Sequence, residues 1–278
     1  MTPSRWLGID FSGSAPKWRA GCRTSNVWIA DLREGADGLA LAALSRLQDL
    51  AMRAARPFEW LCHALAEGQF AAAAIDAPFS VPARFAGTSG HAGLVARVGN
   101  ATPPAGRPFL WGADFVRLVT GLDPPILPKP YRVTEQHWRD SKVETRSTLW
   151  VKPRGGAPMA AACLRLLHLA KRPVWPWSQT GGGLLVEGFP AAQLCQWGLK
   201  HEEYSGADDA ARAARRCIVG ALKTRVGFSP DAGQQMLASA DALDAVLCAF
   251  AAIAVTNGSV AHPPAAEAHV EGWIAVHL

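Results

Sequence analysis

The chain has 278 residues, of which 49% are hydrophobic and 18% are charged, a balance that predicts a globular protein with a large core and excludes a disordered chain. Its formal net charge is +5, but residues 81–183 carry 14 basic and five acidic residues, whereas the rest of the chain is acidic. A basic segment beside acidic groups is suited to a polyanionic partner, although a solvated basic surface is the simpler interpretation.

Cysteine content and hydropathy indicate where the protein resides. The six cysteines form no CxxC pair and lie mostly among apolar neighbours, which favours buried, reduced thiols. Reduced thiols are typical of cytoplasmic proteins. The N-terminus enters an apolar run at once, so we expect no signal peptide. The longest apolar run, residues 245–255, is shorter than the roughly 18 residues of a membrane span. We therefore expect a cytoplasmic protein without a membrane segment.

The first part of the chain predicts three strands in quick succession. Apolar runs of strand length lie at residues 6–11, 18–24 and 26–32, with a tight turn at Ser25 and Asn26. Such close spacing favours an antiparallel meander.

Two helices and a fourth strand follow. Leucines recur every third residue within residues 38–54, which predicts a helix there. Pro57 is suited to the first turn of a second helix, which extends to Glu67. The apolar run that ends at Asp76 predicts a strand, and prolines soon after it end that strand.

The middle of the chain, residues 81–183, is predicted to be a long basic insertion. Repeated Gly and Pro residues predict irregular loops over residues 81–131. Loops of that length are typically functional or mobile, and a poorly ordered insertion is the alternative. Helical spacing returns over residues 157–171.

The last part of the chain alternates strands and helices. Strands are predicted at residues 184–189 and 270–276, helices at residues 208–226 and 239–256, and a helix N-cap at Ser229 before Pro230. The whole order predicts an α/β fold, a mixed sheet covered on its faces by helices, in one domain of residues 1–278.

Acidic side chains stand at the ends of these buried elements. Asp10 ends the first strand, Asp76 ends the fourth, and Asp241 and Asp244 lie three residues apart in the first turn of a late helix. Buried carboxylates are unfavourable unless positive charge meets them. Their oxygens are hard ligands suited to Mg²⁺ or Mn²⁺. We therefore expect these four carboxylates to converge on divalent metal, with Glu187 as a further catalytic candidate.

Each acidic residue also has a structural alternative. Asp10 and Asp76 could be solvated loop ends. Asp241 and Asp244 could cap their helix or interact with its dipole. Glu187 could cap the helix that follows it.

Candidates for substrate binding are Arg132, Glu135 and Ser12. Arginine can bind a phosphate at two points, although an internal Arg132–Glu135 ion pair is the simpler interpretation. Ser12 lies between Asp10 and Gly13, where glycine lets the backbone approach a phosphate. Tryptophans also lie among the basic residues, as in proteins that bind single-stranded nucleic acid, although packing is their commoner role.

Five blocks of sequence resemble, in this order, those of the domain of unknown function 429 family: Gly8-Ile9-Asp10-Phe11-Ser12-Gly13, Ile75-Asp76-Ala77-Pro78, Arg132-Val133-Thr134-Glu135, Glu187-Gly188-Phe189-Pro190 and Asp241-Ala242-Leu243-Asp244-Ala245. Members of that family are commonly described as predicted nucleases with a ribonuclease H-like fold.

The resemblance implies specific roles for the acidic residues. It implies a metal-binding aspartate on the first strand, an acidic residue on the fourth strand and another on a late helix, positions held by Asp10, Asp76 and either Asp241 or Asp244. The pattern often adds a glutamate on the helix before the fourth strand, where Glu59 and Glu67 do not match it. Glu187 lies outside the pattern.

Three functional hypotheses follow. The leading one is a metal-dependent nuclease that hydrolyses phosphodiester bonds in nucleic acid, with Arg132 and its basic neighbours holding the strand. The second is a phosphotransferase of the actin, hexokinase and acetate kinase type, which a nucleotide-dependent thermal shift would favour. The third is a non-catalytic binding protein, which an absence of Mn²⁺ binding at millimolar concentration would favour.

Overall fold

Five strands form one mixed sheet in the computed structural model, which describes residues 5–52, 54–152, 155–179, 181–262 and 264–278. The strands are β1 (Arg5–Asp10), β2 (Trp28–Gly35), β3 (Gly38–Arg46), β4 (Ala72–Ile75) and β5 (Leu184–Glu187). Their order across the sheet is β3-β2-β1-β4-β5. β2 is antiparallel to β1 and β3, and β4 is parallel to both β1 and β5. The predicted α/β class with a mixed sheet is therefore confirmed.

Helices flank the sheet, and a 3-10 turn at Ala15–Trp18 follows β1. In chain order the helices are α1 (Leu47–Leu50), α2 (Pro57–Glu67), α3 (Ala83–Ala86), α4 (Gly90–Asn100), α5 (Gly112–Thr120), α6 (Val133–Asp140), α7 (Ala157–Ala170), α8 (Pro190–Gln196), α9 (Asp209–Leu222), α10 (Pro230–Ala238), α11 (Ala240–Asn257) and α12 (Ala268–Glu271).

The two faces of the sheet bury different layers of helices. Side chains alternate along a strand, so Leu7 and Ile9 of β1 point to one face while Trp6 points to the other. The Leu7 face packs against α2, α4, α5 and α7. The Trp6 face packs against α9, α10 and α11. Asp10 is four residues after Trp6 on β1, so its side chain points to the same face of the sheet, the one that α11 covers.

Helix α11 crosses β1 at Gly8 at backbone contact. A Cβ atom added to Gly8 would lie 2.0 Å from the Ala245 carbonyl oxygen and 2.4 Å from the Ala249 nitrogen. Only glycine therefore lets α11 approach the sheet this closely, and this approach brings the first turn of α11 to the end of β1.

We expect Gly8→Ala to lower the free energy of unfolding by about 3 kcal/mol or more, because backbone atoms must separate to admit the methyl group. The matched control is Gly220→Ala on α9, where an added Cβ meets nothing within 4 Å. Alanine is the better helix former, so the control should gain up to about 1 kcal/mol. Urea unfolding measures both. An unchanged midpoint for Gly8→Ala would contradict the close contact.

The helix predicted over residues 38–54 is wrong, because residues 38–46 form β3. A β-bulge explains the misleading leucine spacing. Leu32 pairs with Leu41 while Asp31 pairs with Ala43, so one extra residue lies between the paired positions of β3. The bulge shifts the alternation by one, and Leu41 and Leu44 are both buried on the same face. Residue 53 lies outside the described residues.

The strand predicted at residues 18–24 is also wrong. Trp18 ends the 3-10 turn and is buried, and its indole nitrogen donates a hydrogen bond to the Ser12 carbonyl (2.8 Å). The predicted strand 26–32 corresponds to β2, and the tight turn joins β2 to β3 rather than lying at Ser25 and Asn26. An antiparallel meander is present, but it consists of β1, β2 and β3, so its third strand lies at residues 38–46 and not at residues 18–24 as predicted.

The loops predicted over residues 81–131 contain helices α3, α4 and α5. Apolar residues of α4 and α5 pack against α7, whose predicted range, residues 157–171, is confirmed. This segment therefore builds much of the layer on the Leu7 face.

The closing strand predicted at residues 270–276 is wrong, because α12 and Gly272 with φ +77° interrupt the extended run.

Other expectations are met. The predicted helices at 57–67, 208–226 and 239–256 correspond to α2, α9 and α11, and Ser229 caps α10 by accepting a hydrogen bond from the Ala232 nitrogen (3.2 Å). All six cysteines are free thiols, but the predicted burial holds for only three of them, since Cys22 and Cys195 are partly exposed and Cys217 is exposed.

Helix α11 is, within the described chain, the one helix long and apolar enough to cross a membrane. However, 67% of that helix is buried, and it packs against β1, β2 and β4. Core helices commonly have this composition, so the helix is weak evidence for a membrane span.

Candidate functional site

Asp10 and Asp76 lie side by side at the carboxyl ends of β1 and β4. The two strands are parallel neighbours, with Ile9 paired to Ile75. The Asp76 backbone nitrogen donates a hydrogen bond to the Ile9 carbonyl (2.9 Å), which extends this pairing by one residue. The sheet thus joins two carboxylates that are distant in the sequence. Asp10 is buried, 6% exposed, so it is not a solvated loop end.

The first two turns of α11 add Asp241 and Asp244. Ser239 is the N-cap of this helix, and its Oγ accepts a hydrogen bond from the Ala242 nitrogen (3.2 Å), so neither aspartate caps it. Asp244 Oδ1 accepts a hydrogen bond from the Tyr204 hydroxyl (2.8 Å). Asp244 is therefore held in place from outside its own helix.

These carboxylates share a strongly unfavourable electrostatic environment. Burial raises the pKa of Asp10 well above its usual range, and the charges of Asp244, Asp76 and Asp241 raise it further. Burial raises the pKa of Asp76 to about 7, although the Arg146 charge opposes this shift. Burial and the Asp76 charge likewise raise the pKa of Asp244. The charges of Asp76, Asp241 and Asp244 thus all act on Asp10.

The site contains more negative charge than its own residues neutralise. Among the described residues, none of the four aspartates forms an ion pair. Asp10 Oδ2 is buried without a hydrogen-bond partner. An unpartnered carboxylate oxygen among repelling carboxylates fits a hard divalent cation such as Mg²⁺ or Mn²⁺. In the described parts of the chain, no three His, Cys, Asp or Glu side chains are arranged tightly enough to hold a metal ion, so the fit rests on charge and donor chemistry.

Arg132, Glu135 and Glu187 form a separate buried ion cluster. Arg132 is 1% exposed, and its Nη1 donates to Glu187 Oε2 (2.8 Å) while its Nε donates to Glu135 Oε1 (2.9 Å). Its Nη2 donates to Glu187 Oε1 (2.5 Å), and Glu187 Oε2 also accepts from the Phe79 nitrogen (3.0 Å). The Arg132–Glu135 ion pair is therefore present. This geometry favours a structural role for Arg132 over direct binding of substrate.

Glu187 does not cap the helix that follows it, because the N-cap of α8 is Phe189 and no side chain caps that helix. Alternation along β5 places Leu185 on the face opposite to Val186. Glu187 is two residues after Leu185, so both side chains point to the same face of the sheet. Asp10 points to the opposite face, the one that α11 covers. This orientation explains why Glu187 pairs with Arg132, although the Glu187 charge also raises the pKa of Asp76.

A cleft of about 590 Å³ opens at this edge of the sheet. Asp76 and Asp244 line it on one side, the Arg132–Glu135–Glu187 cluster lines it on another, and Arg146 also borders it. Asp10 and Asp241 are not among the described residues of the cleft wall. The cleft therefore offers a substrate direct access to two of the four aspartates.

Ser12 and the glycines of its segment do not reach this cleft. Ser12 is 5% exposed, and its Oγ accepts a hydrogen bond from the Ser14 nitrogen (3.2 Å). A Cβ added to Gly13 would lie 2.6 Å from the Met159 nitrogen of α7. Close helix packing explains the glycines at 8 and 13 better than the predicted approach of backbone to a phosphate.

Sequence reasoning missed Arg146 and Tyr204. Arg146 is exposed and borders the cleft, but no motif marks it, and the basic composition of residues 81–183 is the only signal that pointed toward it. Tyr204 lies in a segment without regular structure. Arg215 holds this segment by donating to the Gly206 carbonyl (2.9 Å) and to the Tyr204 carbonyl.

Comparison with known proteins gives one match. No curated protein and no solved structure matches the chain. The family model described as "Protein of unknown function (DUF429)" matches residues 8–269, a range that includes every candidate residue from Asp10 to Asp244. The resemblance to this family is thereby confirmed, and the chain belongs to the DUF429 family.

Proposed function

We propose that the protein is a metal-dependent hydrolase of phosphodiester bonds in nucleic acid, with a ribonuclease H-like architecture. The observation that carries the proposal is that Asp10, Asp76 and Asp244 act on one another at one sheet edge while none of them forms an ion pair with a described residue. The antiparallel meander, the acidic residues that end the first and fourth strands and those that begin a late helix support this architecture.

The aspartates would hold Mg²⁺ or Mn²⁺, with Asp241 at the more exposed margin. A divalent cation bound there supplies Lewis-acid chemistry, which polarises a phosphate oxygen and lowers the pKa of water. Hydrolysis adds water across one P–O bond and yields a phosphate monoester and an alcohol. The cation would also neutralise the carboxylates whose repulsion raises their pKa values.

Other residues of the chain have supporting roles in this proposal. The Tyr204 hydroxyl orients Asp244 through its hydrogen bond. Arg146 is exposed on the cleft wall and is available to contact a phosphate oxygen. Arg132 acts as a positioning residue, because its guanidinium is buried and committed to Glu135 and Glu187.

The test is incubation of the purified protein with labelled single-stranded and duplex DNA and RNA, with Mn²⁺ and with EDTA. We expect cleavage in Mn²⁺ and none in EDTA, because the aspartates need a cation to approach a phosphate. Thermal shift with Mn²⁺ is measured in parallel. Absence of cleavage together with absence of a Mn²⁺ shift would support a non-catalytic binding protein, and a shift with nucleotide alone would support a phosphotransferase.

A further inference from the structure

A second cavity adjoins the cleft. It has a volume of about 390 Å³ and shares Glu144, Thr145 and Arg146 with the wall of the cleft. Its other walls include Lys129, Tyr131, Arg139 and Trp150. We call this cavity the basic pocket. A ligand that lies across the shared wall would contact both the basic pocket and the aspartates.

The basic pocket carries unpaired positive charge. Lys129, Arg139 and Arg146 are all exposed, and Glu144 is the one acidic residue among its described lining residues. None of these three cations forms an ion pair with any described residue. Cations that line a concavity and form no ion pair favour a bound anion.

Aromatic rings position two of the cations. The Lys129 Nζ lies 4.1 Å from the centre of the Trp150 ring, and the Arg139 guanidinium carbon lies 4.4 Å from the centre of the Tyr131 ring. Such contacts hold flexible side chains in place. Aromatic rings next to unpaired Lys and Arg are what proteins use to bind the bases and phosphates of single strands.

We propose that the basic pocket binds one nucleotide of a single-stranded nucleic acid, next to the phosphodiester held in the cleft. Lys129 and Arg139 contact its phosphate, and the rings of Tyr131 and Trp150 contact its base. A cavity of about 390 Å³ is small among ligand sites, which suits one nucleotide and not a base pair. This inference rests on the proposed function and narrows its substrate to single strands longer than one nucleotide.

The experiment measures binding without catalysis. Labelled single-stranded DNA, single-stranded RNA and duplex DNA of equal length are titrated with full-length protein in EDTA, at several salt concentrations, by fluorescence anisotropy. We expect Lys129→Gln combined with Arg139→Gln to weaken single-strand binding at least about tenfold at low salt. The slope of log Kd against log salt should fall by about 0.7, since the double variant removes the contact with one phosphate and each phosphate contact contributes about 0.7.

The matched control combines Arg216→Gln with Lys223→Gln, which removes the same charge from exposed positions on and just after α9 that line neither cavity. Its single-strand Kd should stay within about twofold of the unaltered protein. Circular dichroism confirms that both double variants fold. The relative affinities for the two single strands then identify DNA or RNA as the preferred ligand.

An unchanged Kd and salt slope for the Lys129 and Arg139 double variant would overturn the inference, as would a duplex that binds as tightly as the single strands. Because binding is measured in EDTA, these results do not depend on cleavage. If the double variant binds normally while Mn²⁺-dependent cleavage is present, the pocket assignment fails alone. If it loses binding while no phosphodiester is cleaved under any condition, the proposed hydrolysis fails alone.

Discussion

Asp10→Asn is expected to abolish Mn²⁺-dependent cleavage of nucleic acid while leaving the protein folded. Loss of an outer-shell partner at a metal site typically lowers activity about 10- to 100-fold, and loss of a carboxylate that contacts the metal should exceed this range. Asparagine keeps the shape of the side chain but removes the charge that a divalent cation needs. The stabilisation of the protein by Mn²⁺ should fall with the activity.

The same substitution should make the metal-free protein more stable. A carboxyl group whose pKa is raised by folding binds its proton more tightly in the folded state, so stability decreases as pH rises. For Asp76 the pKa moves from 3.8 to about 7, which places the decrease between about pH 4 and pH 7. Above this window Asp76 is charged in the folded protein and opposes the charge of Asp10, so we expect Asp10→Asn to raise the free energy of unfolding of the metal-free protein.

Urea unfolding in EDTA on both sides of that pH window measures the gain, and a parallel series in Mn²⁺ measures the loss of metal stabilisation. Asp209→Asn is the matched control, because the Asp209 side chain is 96% exposed in the first turn of α9. It should keep full activity and change stability by less than about 1 kcal/mol. An Asp10→Asn protein that cleaves normally, or that is less stable than the unaltered protein without metal above the window, would refute the assignment of Asp10.

Arg132→Met is expected to destabilise the protein by about 3–5 kcal/mol, because it leaves the buried carboxylates of Glu187 and Glu135 without a counter-charge. Burial alone would lower the pKa of Arg132, but these two carboxylates raise it overall, so the cluster is held together by charge. Adding Glu187→Gln to Arg132→Met should recover part of the loss, because one uncompensated charge is then removed.

The matched control is Arg117→Met. The Arg117 side chain is 53% exposed and pairs with Asp114 and Asp123 at the surface. Exposed ion pairs contribute little, so the control should lose less than about 1 kcal/mol. Equilibrium unfolding in urea compares the three variants. If Arg132→Met and Arg117→Met unfold at the same urea concentration, the buried cluster does not stabilise the fold as described.

The sequence indicated the aspartates because each stands where an apolar run stops. Asp10 and Asp76 stand at the ends of strands whose side chains are buried on both faces of the sheet. Asp244 lies near the start of the most apolar helix, which Ser239 caps. The chemistry of buried carboxylates led us to expect that they meet, but local pattern could not give the order of the strands, because partners in a sheet can be far apart in the chain. The sheet places β1 beside β4.

Other features were hidden from sequence reasoning for identifiable reasons. The extra residue in β3 gave Leu41 and Leu44 helical spacing within a strand. Glu187 was predicted to belong to the acidic site because it ends an apolar strand. The face of the sheet to which its side chain points could not be read from the sequence. Arg146 carries no local signal at all, since the cleft that it borders is assembled from segments far apart in the chain.

The Tyr204–Asp244 contact and the approach of α11 to Gly8 have a consequence for protein synthesis. Translation makes Asp10 and Asp76 early, but α11 emerges from the ribosome only near the end of the chain. Until then β1 lacks the helix that covers Gly8, and the acidic centre lacks its third member. If the protein has the proposed nuclease activity, a partly made chain would lack the complete acidic site, and cleavage would begin only after α11 has packed against the sheet.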